Sequence, residues 1–337
     1  MNESLIVPSI YQPNLNFIET QIAINKLKHH FENHFSKELN LTKISAPIIL
    51  KAGSGINDNL NGVERIVTFN AMDVEHSQIE IVQSLAKWKR MALGQYGFSY
   101  GEGLYTDMNA IRRDEVLDNL HSMFVDQWDW EKVISFDERQ LATLKLEVQK
   151  IYSAIKSSED FLYTLYPRIE PTLPENIHFI TTQDLEDIYP SLTPKQREDE
   201  IAKEFGAVFI MKIGGELLSG IKHDGRSPDY DDWNLNGDII LWYPLLEKSI
   251  EISSMGIRVD EKTLLQQLKC SKNENRKDLE YHQGILNKRL PYTIGGGIGQ
   301  SRLMMFLLKK AHIGEVQVSV WNDAIITACK ESNIPLL

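Results

Sequence analysis

Most strand-like segments of this chain follow one another with only a turn or short loop between them. That order constrains the fold more than any other feature. Segments 66–72 and 78–82 are split by the polar turn 73–77, 105–111 and 123–130 flank the loop 112–121, and 249–254 comes soon after 238–243. A further strand-like segment, 207–213, precedes the last pair. Antiparallel strands need only such short links, whereas parallel strands need a crossover of a dozen or more residues. The regular βαβ alternation of a parallel sheet is missing. The pattern predicts an α+β protein with a single large, mainly antiparallel sheet flanked by helices. Residues 1–337 read as one domain, with 1–13 as an N-terminal extension.

Helices are inserted between these runs. Asn16 with Glu19 three residues on forms a capping box, and Ile18, Ile22, Leu27, Phe31, Phe35 and Leu39 lay one apolar stripe along a long helix. The strand predicted next, 41–50, contains Pro47, which cannot donate to a ladder; it belongs at a sheet edge or a subunit boundary. A short basic helix (85–90) and a glycine-rich loop (94–103) follow, then a long mixed-charge helix over 137–166, expected to be a solvated outer one. Thr193-Pro194 starts another helix, and 261–268 and 276–286 are helical.

Forty-two per cent hydrophobic and 25% charged residues over 337 positions are ordinary for a globular enzyme. The net charge of −11 disfavours nonspecific binding to nucleic acid or an anionic membrane. No stretch reaches the roughly 18 apolar residues of a membrane span, and the N-terminus lacks a signal-peptide pattern. Cys270 and Cys329 are in no metal or redox spacing, so both are expected as thiols in a reducing compartment, the cytoplasm.

Several residue groups can carry chemistry. Gly295-Gly296-Gly297-Ile298-Gly299-Gln300-Ser301-Arg302 reads as a glycine-rich turn before a buried helix, with an arginine on its first turn. Glycines admit a ligand close to the backbone, a helix N-terminus favours negative charge, and arginine can stack on a base or fork a phosphate. Arg112, at a strand end and followed by acids, can hold an anion; a charged hairpin tip would look the same. Asp238 and Glu251 lie in apolar surroundings on consecutive strands. Buried carboxylates there require a cation, either Mg²⁺ or an internal partner such as Arg258 or Arg302. Alternation sets Val125, Gln127 and Asp129 on one strand face and Asp126, Trp128 and Trp130 on the other. Gln127 and Asp129 then suit a small polar amino acid, or simply a solvated face. Ser84, Lys87 and Lys89 on the basic helix could meet a carboxylate. The tract 222–233 reads as an ordered loop over a site, with no zinc spacing.

In order along the chain, the long helix with Lys43-Ile44-Ser45-Ala46-Pro47, the Arg112 loop and Gly297–Arg302 resemble motifs 1, 2 and 3 of class II aminoacyl-tRNA synthetases. Ser84–Arg90, Gly101–Thr106, Val125–Glu131, Pro228–Trp233, Leu235–Asp238 and Ser253–Arg258 extend the resemblance, over nearly the whole length, to the ammonia-dependent asparagine synthetases. The resemblance implies a class II catalytic-domain fold, a homodimer through motif 1, and the substrates L-aspartate, ATP with Mg²⁺, and free ammonia. It implies an aspartyl-adenylate intermediate, with AMP and pyrophosphate released. By position it assigns Arg112 to the reacting carboxylate and α-phosphate, Gln127 to orienting that carboxylate, and Asp129 to the substrate ammonium. Ser84, Lys89, Ser253 and Ser254 fall to the substrate, Asp231, Arg258, Gly297, Gly299 and Arg302 to the nucleotide, and Asp238 with Glu251 to Mg²⁺. Asp58 falls near the ammonia site as a proton acceptor. The segment 233–236 is shorter than the family pattern, and Ser54 stands where some members carry an acid.

Three alternatives are weighed by residue chemistry. Glutamine-dependent amidation needs a nucleophilic cysteine, and neither Cys270 nor Cys329 has that context. A tRNA ligase would add an anticodon-binding domain and a basic face, so no tRNA partner is expected. A silent binding paralogue has no need of Arg112, Asp238, Glu251 and Arg302 together.

Overall fold

The computed structural model describes residues 5–8, 10–58, 60, 64–74 and 77–337. Helix α1 (Phe17–Leu39) begins at the expected capping box: Asn16 Oδ1 accepts from the Glu19 amide, and Glu19 returns the contact to the Asn16 amide, each at 2.9 Å. Pro47 divides the next segment into two strands, β1 (Leu41–Lys43) and β2 (Ile49–Lys51), which join different sheets. Strands β3 (Thr68–Phe69) and β4 (Ile79–Ile81) pair antiparallel as expected and complete a small sheet in the order β2-β4-β3. Helix α2 (Ala86–Tyr96) extends past the expected basic segment and absorbs Gly94.

The large sheet contains β1 at one edge, then β5 (Gly103–Ile111), β6 (Phe124–Val133), β11 (Thr293–Gly299), β10 (Lys248–Arg258), β9 (Asp231–Tyr243), β8 (Ala207–Met211) and β7 (His178–Thr181). The pairs β1–β5 and β7–β8 are parallel; the inner ones are antiparallel. It has the predicted α+β architecture, a mainly antiparallel sheet flanked by helices.

The glycine tract corrects the sequence reading. Thr293–Gly299 is not a turn but a strand in the middle of the sheet, paired on both sides with β6 and β10. Helix propensity and strand propensity are both poor for glycine, so the tract resembled a loop. Its neighbours need the missing side chains: a Cβ on Gly295 would lie 2.1 Å from Glu131 Oε2, and one on Gly297 2.5 Å from Gln127 Oε1. Helix α3 (Leu141–Leu165), expected to be solvated, also differs. It buries Leu144, Val148, Ile151, Ile155 and Leu162 in the main core beside α1, while its other face carries the charges.

Alternation gives the central strands two unlike faces. On one, Trp128, Trp130, Ile252, Met255, Ile257, Ile294 and Ile298 join the core with α1, α3 and α8 (Gln300–Leu307). Phe31 lies 4.5 Å from Trp128 and Phe35 6.3 Å from Trp130, centroid to centroid. The opposite face presents Gln127, Asp129, Glu131, Asp238, Ser254 and Arg258, and it forms the floor of a cavity. Helix α4 (Thr182–Ile188) is capped by Thr181, and α5 (Pro194–Phe205) is capped by Thr193 as expected. Helix α6 (Glu261–Cys270) and α7 (Glu280–Leu286), joined through a 3₁₀ turn at Glu274–Asp278, pack near α2. No helix among the described residues is long and apolar enough to cross a membrane, and both cysteines are unpaired.

Candidate active site

The cavity holds about 460 Å³ and is lined largely by charged and polar groups. The structure brings Ser84, Lys89, Arg112, Gln127, Asp129, Asp231, Asp238, Glu251, Ser254, Arg258, Gly297, Gly299 and Arg302 to its wall. They come from distant points of the chain, gathered by the ends of β5 and β6, the face of β9–β11 and the first turns of α2 and α8. Glycines 295, 297 and 299 stand opposite Glu131, Asp129 and Gln127 in the ladder. Lacking Cβ atoms on the cavity face, they leave Gln127 and Glu131 room to lie over the strand.

On the floor, buried Lys89 donates to the Asp129 carboxylate and, at 2.9 Å, to the Gly296 carbonyl. Burial pushes the Lys89 ammonium down and the Asp129 carboxyl up, and each opposes the other's shift. Arg258 is fully buried between two acids: its Nε and Nη2 reach Glu131 at 2.7–3.1 Å, and its Nη1 donates to Asp231. Arg112 starts the turn after β5, its amide bonded to the Met123 carbonyl at 2.8 Å, while its buried Nε has no hydrogen-bond partner. Arg302, on the first turn of α8, donates to the Glu251 carbonyl at 3.1 Å.

Two assigned residues lie off the cavity wall. Ser253 does not face it: beyond an irregularity between Glu251 and Ser253, β10 turns Ser253 to the side of Met255 and its partner Ile298, which are core residues. Asp58 is fully buried beside the cavity; neither of its oxygens has a partner in hydrogen-bond geometry, although the Tyr230 hydroxyl is close enough to favour its charged form. Burial raises its carboxyl above the usual range, and Lys87 draws it partly back.

Sequence reasoning missed Arg226. Its Nη2 lies 2.6 Å from Asp238 Oδ1, and its Nη1 donates to Ser254. The internal cation for Asp238 is therefore Arg226, not Arg258 or Arg302. The only signal was its place in the tract 222–233, expected to cover a site. Glu131 was missed too, although it continues the Gln127–Asp129 alternation. The short segment 233–236 is continuous strand within β9 and forms no loop.

Asp238, Glu251 and Asp224 crowd one end of the cavity. Burial raises Asp238 to about 7, Arg226 opposes the rise and Glu251 adds to it. Carboxylates that repel one another across a cavity fit a hard divalent cation. Among the described residues no group of three or more His, Cys, Asp or Glu side chains forms a metal cage, so the protein oxygens alone would be few. A cation that keeps most of its shell as water would need no more from the protein.

This architecture is that of a class II aminoacyl-tRNA synthetase catalytic domain. Asparaginyl-tRNA synthetase from Pyrococcus horikoshii, solved with asparaginyl-adenylate, superposes with a TM-score of 0.64 at 16% identity, over 88% of this chain and 67% of that one. The sequence relationship is narrower. The aspartate–ammonia ligase family profile matches residues 18–333, and the chain belongs to that family. The aspartate–ammonia ligase of Clostridium perfringens (strain SM101 / Type A) is 60% identical over 335 residues, covering 99% of this chain and 100% of the relative. That of Pediococcus pentosaceus is 57% identical over 333 residues, covering 99% of each.

Proposed function

We propose that the protein makes L-asparagine from L-aspartate, ATP and free ammonia in two steps within this cavity. In the first, a β-carboxylate oxygen of aspartate attacks the α-phosphorus, the bond to the β-phosphate breaks, and pyrophosphate leaves β-aspartyl-AMP. In the second, ammonia forms a bond to the acyl carbon, the acyl–oxygen bond to phosphate breaks, AMP departs, and the nitrogen sheds a proton. The observation that carries the reading is the pair of opposite charges Lys89 and Asp129, in contact with each other on the same floor as Arg112, Arg226 and Arg302.

Asp129 offers a carboxylate to the substrate ammonium. Lys89, Ser84 and Ser254 offer donors to its α-carboxylate, and Gln127 orients the β-carboxylate. Arg112, with an uncommitted Nε, forks the reacting carboxylate and the α-phosphate, where preorganised charge favours the transition state. Arg302 stacks on the adenine, with Gly297 and Gly299 letting the nucleotide approach the backbone. Arg258 acts by fixing Asp231 toward the nucleotide. Asp238 and Glu251 would hold Mg²⁺, which when bound neutralises phosphate charge. Asp58 takes the proton lost by the nitrogen, becoming the neutral acid that burial favours.

The residues 1–337 are proposed to act as one catalytic domain, with no tRNA partner. A homodimer is supported by apolar side chains left exposed on α1 and at the start of β2: Phe17, Ile18 and Ile22 on the helix, Ile48 just before the strand and Ile49 on it. Phosphorus NMR of a turnover mixture tests the chemistry. AMP and pyrophosphate are expected; ADP and phosphate would replace the adenylate with an acyl phosphate.

A further inference from the structure

Behind Asp58 lies a buried charged cluster that the two-step scheme does not use. Asp229, fully buried, accepts from His282 Nε2 on α7 at 3.1 Å and from Arg276 Nη1 on the 3₁₀ turn at 3.0 and 3.1 Å. Lys87, on α2, donates to the Gly55 carbonyl at 2.9 Å and the Asn57 carbonyl at 3.4 Å, and its Nζ stands 3.6 Å from Asp229. Lys87 is the cation nearest in influence to Asp58, yet it makes no ion pair with it. The other groups that act on Asp58 are Asp229, the Tyr230 hydroxyl and Arg276. Glu80 lies one residue away, against the Asn57 amide at 3.2 Å.

Burial alone would raise the Asp229 carboxyl, but His282, Lys87 and Arg276 hold it at about 2. Asp229 is therefore a fixed negative charge, and Lys87 is shared between it and the backbone of the Asp58 loop. A buried carboxylate that has lost its natural counter-ion to a neighbour stays basic.

We infer that Asp229, clamped by His282 and Arg276, is a positioning residue of the amide-forming step: it holds Lys87 off Asp58 and leaves that carboxylate without an ion pair, as the base that receives the nitrogen's proton. The inference rests on the proposed role of Asp58. The proton balance is complete, since ammonia, the acyl adenylate and the Asp58 carboxylate give the amide, AMP and the protonated Asp58.

The test is the pH profile of asparagine formation at saturating substrates in the full chain, recorded beside that of aspartate-dependent ATP–pyrophosphate exchange. Asp229→Asn removes both a repelling charge and the hold on Lys87, so the acid limb of asparagine formation moves down by about one pH unit. Arg276→Gln leaves Asp229 less neutralised and removes a cation that favours ionised Asp58. The limb then moves up, by about half a unit since the Arg276 side chain is 22% exposed. The position of the exchange profile stays fixed in both. Limbs that do not move, or that move the same way in both variants, overturn the inference and leave Asp229 a folding residue. If Asp229→Asn loses exchange and its native circular dichroism, the direction of the Arg276→Gln shift decides alone. An acid limb that persists in Asp58→Asn also overturns it. Failure of wild-type exchange without ammonia would instead remove the adenylate scheme.

Discussion

Replacing Gly297 and Gly296 separately by alanine should separate what the glycine strand does for the site from what it does for the fold. The three atoms nearest a Cβ at Gly297 all belong to the end of the Gln127 side chain: Oε1 at 2.5 Å, Cδ at 2.9 Å and Nε2 at 3.2 Å. That end can swing away for roughly 0.5–1.5 kcal/mol of rotamer strain. The loss of glycine's unfolded-state entropy returns about 0.4–1 kcal/mol, so Gly297→Ala should stay within about 1 kcal/mol of the parent in stability. The same Cβ at Gly296 meets Met255 Cβ at 2.4 Å and the Ser254 carbonyl at 2.6 Å, atoms fixed by the β10 ladder. Relief requires strands to part, and overpacking of this kind costs roughly 1–3 kcal/mol, toward the upper end here. Function should divide the other way. A Gln127 amide displaced by about an ångström costs on the order of 100-fold when it positions a reacting group. Urea denaturation and aspartate-dependent pyrophosphate exchange read the two effects. Gly297→Ala with parental exchange kinetics, or Gly296→Ala as stable as Gly297→Ala, would refute the assignment of the two strand faces.

Arg112→Lys keeps the charge but loses the fork, and should lower the exchange rate by the equivalent of roughly 2–4 kcal/mol with the circular dichroism unchanged. Arg258→Met strands Glu131 and Asp231 in the interior and should cost about 3–5 kcal/mol in urea denaturation; a neutral result would contradict the buried triad. Burial depresses His312 to about 4, so its neutral form stabilises the fold above the ordinary imidazole range and that contribution drains away as pH falls from about 6.5 to 4. His312→Gln should flatten the stability–pH curve in that window and nowhere above it. Light scattering should give about twice the 38.7 kDa chain mass; a fully active monomer would remove the proposed interface.

Where local chemistry decides structure, the sequence was legible. The α1 capping box, the Thr193 cap and the opposite faces of Gln127 and Trp128 each follow from near neighbours and a fixed period. The glycine strand was not legible, because its stability comes from β6 and β10, whose paired residues are 160–172 and 37–45 positions away on the register. Arg226 was hidden for the same reason, since Asp238 and Ser254 approach it only after β9 and β10 pair. Ser253 was misplaced by one irregularity, which turns its side chain over. Long-range pairing, rather than propensity, decided each of these.

The central claim is that aspartate is activated by adenylation before nitrogen enters. ATP–pyrophosphate exchange with purified protein and Mg²⁺ tests it most directly. Exchange is expected to require aspartate, to proceed without ammonia and to be indifferent to added tRNA. Exchange that appears only when ammonia is present, or that needs tRNA, would contradict it.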